Sequence, residues 1–149
     1  MLKNKNIVIT GAASGIGKAT SLLSASYGAN VLCVDLSEEV QTTASEIAAA
    51  GGKAMAVRAN VAEEAEVEAF IQSCVDEFGR IDGFYANAGV SGGGKSVTEL
   101  TVDDWQRTLG INTVGVFLAV KHSLKHFGVS MTQKHWTRSN QIIYIFFLV

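Results

Sequence analysis

At 149 residues the chain is long enough for one domain with a sizeable core and too short for two. Hydrophobic residues make up 48% and charged residues 17%, which excludes an intrinsically disordered chain and fits a globular one. The net charge of −2 conceals an asymmetry: all 14 acidic residues lie at or before Asp104, beside 7 of the 12 Lys and Arg, so residues 1–104 carry −7 and the rest +5. The late positive charges are scattered, and neither a nucleic acid nor a membrane is an expected partner.

In chain order, the polar opening at residues 1–6 is followed by only three apolar residues before Thr10, so it lacks the core of a signal peptide. A cytoplasmic location is expected. A strand over 6–10 runs into the glycine-rich loop 10–17, and a helix is expected from near Gly17. A second strand over 30–35 ends in Asp35. The helix after it, 38–50, has Ser37 as a candidate N-cap and is closed by Gly51 and Gly52. A third strand is expected over 54–59 and a fourth over 81–86. Between them, a helix over 63–78 places Val67, Phe70, Ile71, Cys74, Val75 and Phe78 on one stripe. Glu63, Glu64 and Glu66 complement the positive end of its dipole, and Gly79 caps its end.

The strands are mainly apolar, as strands covered on both faces should be. Their alternation with helices predicts an α/β fold with a doubly wound parallel sheet. Cys33 and Cys74 lack metal or disulfide spacing and read as small buried hydrophobes. His122 and His126, at i and i+4, read as helix surface, and with His135 they make no metal site.

The loop Thr10-Gly11-Ala12-Ala13-Ser14-Gly15-Ile16-Gly17 joins a strand end to a helix start. Unpaired N–H groups and the helix dipole there stabilise a pyrophosphate, and the glycines allow the backbone to approach it. Comparison with an ATP-binding P-loop fails, because that pattern needs Gly at position 12 and Ser or Thr at 19, where this chain has Ala12 and Ala19. Asp35 follows Gly17 by 18 residues, where a carboxylate can accept hydrogen bonds from an adenosine ribose. It would repel a 2′-phosphate. With Leu36 beside it and Ser14 in the loop, no base is placed to neutralise that phosphate, so NAD is the expected cofactor over NADP.

At this point the chain resembles the short-chain dehydrogenase/reductase family over residues 3–127. The family's T-G-x-x-x-G-I-G loop matches Thr10 to Gly17, its Asn-Ala-Gly turn matches Asn87-Ala88-Gly89, and the helix Asn of its catalytic tetrad matches Asn112. The resemblance implies a Rossmann fold and hydride transfer between the cofactor and a small-molecule alcohol or carbonyl substrate. The family's adenine-contacting Asp-Val falls here on Asn60-Val61, and the first Asn of its Asn-Asn-Ala-Gly is Ala86. In the family a Tyr acts as acid and base with its pKa lowered by a Lys four residues on, a Ser positions the substrate oxygen, and the Asn anchors a water to the Lys. Only Asn112 of these is present. The tyrosines are Tyr27, Tyr85 and Tyr144, with Val31, Gly89 and Leu148 four places on.

The family texture stops near Phe127, which leaves about four of the family's seven strands and an incomplete Rossmann fold. The expected division is a partial cofactor-binding domain over 1–127 and an atypical tail over 128–149. That tail has no acidic residue and four aromatics in 22 positions. It reads either as a frameshift product or as a divergent end in which residues 141–149 pair beside the fourth strand. The chain alone is expected to be inactive; the alternative is a catalytically dead NAD-binding module that acts by association. A homo-oligomer of the family type is doubtful, because the helices that build it are only partly present.

Overall fold

The computed structural model describes residues 1–127 and 142–144. Five parallel strands lie in the order β3-β2-β1-β4-β5: β1 (Asn6–Thr10), β2 (Asn30–Asp35), β3 (Lys53–Arg58), β4 (Gly83–Tyr85) and β5 (Ile142–Tyr144). Helices α1 (Gly15–Ser26), α2 (Val40–Ala49) and α3 (Glu64–Phe78) carry the crossovers. After β4 come α4 (Val102–Leu109), a π-helical turn (Gly110–Val114) and α5 (Gly115–Ser123). This is the α/β parallel architecture that the alternating pattern predicts. β5 pairs in register with β4, Gly83 opposite Ile142 and Tyr85 opposite Tyr144. The remainder of the tail, including His135, lies outside the described residues.

Period-two alternation splits the core into two layers. Val8 of β1 with Leu32 and Val34 of β2 meet Val67, Phe70, Ile71 and Cys74 of α3 and Val116 and Ala119 of α5. On the other face Ile9, Val31 and Cys33 meet Val40 and Ile47 of α2. The expected stripe on α3 is therefore the buried one, and Phe70 is 1% exposed. Both cysteines are buried, as expected, and burial pushes the Cys33 thiol up to about 11 and the Cys74 thiol up to about 12.

Four expectations need correction. β3 is only half buried, because it is an outer strand of the described sheet and has a neighbour on one side only. β4 is shorter than 81–86: Ile81 instead bridges to Phe127, and the Asp82 carboxylate turns back to the Asn6 N–H at 3.0 Å. α1 begins at Gly15, two residues before Gly17. Ser37 does not cap α2, which begins at Val40; its hydroxyl accepts from the Glu39 N–H in the turn before it.

Asp82 anchors the amino-end edge of the sheet. Its carboxylate takes the Asn6 N–H, Arg80 and Lys5, while the Asn6 side chain donates to the carbonyls of Phe78 and Arg80. Burial alone would raise the Asp82 pKa, but the Asn6 N–H, Arg80 and Lys5 together hold it below the usual carboxylate range. A depressed folded pKa contributes stability that is present above the unfolded value of about 4 and lost as pH falls through the folded one. Asp82→Asn is accordingly expected to lower stability by about 2 kcal/mol at pH 7. In urea titrations the gap between wild type and variant should close as the pH is taken below about 4; a gap that stays constant down to pH 2 would contradict this role.

Candidate nucleotide-binding site

The chain proceeds from β1 outward to β2 and β3, then crosses back to place β4 on the other side of β1. At such a reversal the loops leaving the two strands diverge, and a crevice opens at the carboxyl ends. A cavity of about 380 Å³ lies there. It is lined by Gly11, Ser14, Gly15 and Ile16 after β1, Asp35 and Leu36 after β2, Ala59, Asn60 and Val61 after β3, and Asn87 to Val90 after β4, with Ile111.

Ten of the expected site residues line this cavity: Gly11, Ser14, Gly15, Ile16, Asp35, Asn60, Val61, Asn87, Ala88 and Gly89. Thr10, Gly17 and Asn112 support it from behind. Thr10 is 2% exposed, and its hydroxyl accepts from the N–H groups of Asn87 and Ala88, both at 3.1 Å. Asn87 Nδ2 donates back to the Thr10 carbonyl at 3.0 Å. The phosphate loop and the Asn87 turn are thereby joined across the crevice.

Gly11 has φ +70, a left-handed conformation that turns the chain out of β1. The amides of Gly15, Ile16 and Gly17 open α1, where helical geometry supplies no partner. The first turn of α1 holds no acidic residue, and Ser14 makes no side-chain cap. These donors and the dipole therefore suit an anion.

Asp35 is held in two directions, Oδ2 accepting from the Ala13 N–H and Oδ1 from the Ser37 N–H, each at 2.9 Å. Asn60 has its amide oxygen on the Ala62 N–H at 3.0 Å and its own N–H on Glu66 at 2.7 Å. Both ends of the Asn112 carboxamide are engaged with Val90: Oδ1 accepts from its N–H and Nδ2 donates to its carbonyl, each at 2.9 Å. Asn112 thus pins the segment that follows Gly89.

Two readings change. His122 is not on the helix surface: its side chain is 10% exposed in the seam between α5 and α3, with Nε2 at 2.8 Å from Glu64. A base does stand next to Asp35, outside the cavity lining, because β2 and β3 pair Asp35 with Arg58, whose Nε donates to the Leu36 carbonyl at 2.8 Å. Asp35 and Arg58 are 23 residues apart, and only the parallel register of β2 and β3 brings them together. The cavity walls formed by Leu36, Ala59, Val90 and Ile111 were not anticipated either. Among the described residues there is no metal-binding cluster of His, Cys, Asp or Glu, and no helix is long and apolar enough to cross a membrane.

The family profile described as short chain dehydrogenase matches residues 5–139, and the chain belongs to that family of oxidoreductases, which use a nicotinamide cofactor. Cyclohexanol dehydrogenase of Acinetobacter sp. (strain SE19) is 39% identical over 122 residues, covering 81% of this chain and 49% of that protein. Cis-4-hydroxycyclohexanecarboxylate dehydrogenase of Sinomonas cyclohexanicum is 40% identical over 123 residues, with 83% and 49% covered. The crystal structure of a levodione reductase superposes with a TM-score of 0.78 at 34% identity, covering 83% of this chain and 49% of that one. The chain spans about half the length of the curated relatives it matches.

Proposed function

We propose that this chain is the cofactor-binding part of an NAD-dependent oxidoreductase that interconverts secondary alcohols and ketones. The convergence of the glycine loop, Asp35, Asn60 and the Asn87 turn on one cavity carries this reading. The residues fit the cofactor: amides at the start of α1 suit the pyrophosphate, and the fixed Asp35 carboxylate suits a ribose diol and repels a 2′-phosphate. Bound there, NAD would accept the hydride of the alcohol. Thr10, Asn87 and Asn112 hold the loops that orient it. Two relatives are named for a hydroxyl on a cyclohexane ring, and a six-membered alicyclic alcohol is the substrate class we assign to the whole protein.

Without Tyr-x-x-x-Lys these 149 residues lack the family's proton donor, so binding is expected without turnover. Purified chain should bind NADH in a fluorescence titration, more tightly than NADPH, and should give no absorbance change at 340 nm with NAD and cyclohexanol. Absence of NADH binding at millimolar concentration would refute the assignment. Robust turnover would show that another group supplies the proton.

A further inference from the structure

Asp35 lines the cavity, the opposite charge of Arg58 stands next to it in the sheet, and a third charge decides what the two can do. Asp35 and Arg58 are Cα partners in the β2–β3 ladder, so their side chains leave the same face of the sheet. The Arg58 guanidinium is tethered by Nε to the Leu36 carbonyl, and the residues on either side of that tether, Leu36 and Ala59, line the cavity. Its Nη1 lies 3.5 Å from Glu38 Oε1. Arg58 is 59% and Glu38 84% exposed, so this ion pair is held weakly and competes with solvent.

We infer that Glu38 occupies Arg58 and thereby keeps a guanidinium from serving a 2′-phosphate beside Asp35. The inference rests on reading the cavity as the nucleotide site. A guanidinium binds a phosphate through two parallel hydrogen bonds, more strongly than it holds a solvated carboxylate at 3.5 Å. Glu38 opposes that exchange twice, by engaging Arg58 and by adding negative charge where the phosphate would sit. Asp35 disfavours the phosphate, and Glu38 reduces what Arg58 can do to offset that penalty.

The test is equilibrium binding of NADH and NADPH, followed by calorimetry, to the wild-type chain, Glu38→Gln and the double variant Glu38→Gln/Arg58→Gln. Both positions are exposed, and thermal melts check that each variant is folded. The ratio of NADPH to NADH affinity should rise about fivefold in Glu38→Gln, the scale of one exposed ion pair released. It should return to the wild-type value or below in the double variant. The gain should also shrink as salt is raised from 0.05 to about 0.5 M. An unchanged ratio in Glu38→Gln overturns the inference, and so does a gain that survives loss of Arg58, which would be simple removal of charge. Wild-type chain that binds neither nucleotide overturns the cavity assignment as well. NADH binding with no shift in the ratio overturns this inference alone.

Discussion

A Gly17→Ala chain is expected to lose NADH binding together with about 3 kcal/mol of stability, a fall of about 9 °C in Tm. A Cβ at this position would stand 2.0 Å from the Gly11 carbonyl oxygen, 2.6 Å from its carbon and 2.8 Å from Asn87 Nδ2. Two of these atoms are backbone in a turn that has no slack, so α1 must lift away from the loop or the loop must open. Either movement separates the first-turn amides from the Asn87 side of the crevice. Gly15→Ala is the matched control. Its Cβ would meet nothing within 4 Å, and only the left-handed φ of +52 is penalised, at about 1 kcal/mol. Calorimetric melts and NADH titrations of the pair distinguish the close packing of helix on loop from a general intolerance of substitution. Equal behaviour of the two variants would refute the packing argument.

Thr10→Val is expected to destabilise the chain by about 3 kcal/mol and to weaken NADH at least tenfold, although the side chain keeps its shape. The change removes the one oxygen that accepts from both Asn87 N–H and Ala88 N–H, and each amide left without a partner costs about 1–3 kcal/mol. Thr10→Ser retains the oxygen and should recover most of both losses. Urea unfolding followed by circular dichroism measures the first and fluorescence titration the second. A valine variant as stable as wild type would mean that the bridge between the two loops is not a structural necessity.

The parts of the fold legible in the sequence are those in which local pattern and burial agree. β1 and β2 run over the expected residues because each is an apolar run between turn signals and also an interior strand with a neighbour on both sides. α3 was readable for the same reason, its stripe and glycine C-cap both being local. β4 was overestimated because Ile81 and Asp82, though buried, spend their contacts on Phe127 and Asn6, which no local pattern reveals. Thr101 and Asp104 form a capping box at α4, from a T-x-x-D spacing that is local in the sequence. At the site, residues whose own backbone forms the cradle were legible. Outside the cavity lining, the surroundings of Arg58 and His122 were not legible, because they come from strand register and from helix pairing across 23 and 58 residues.

The bond from the Ala13 amide to Asp35 has an engineering consequence. The carboxylate that would recognise the ribose is also a strut of the pyrophosphate loop, so altered selectivity and a slackened grip arrive in the same substitution. Exchanging Asp35 for a small neutral residue to admit NADP should therefore weaken both nucleotides before it favours either. Its effect should combine non-additively with changes at residues 11–16, since they share one partner. A replacement such as Asn, which still offers an oxygen to Ala13, would separate the two effects and let cofactor preference be altered without loosening the loop.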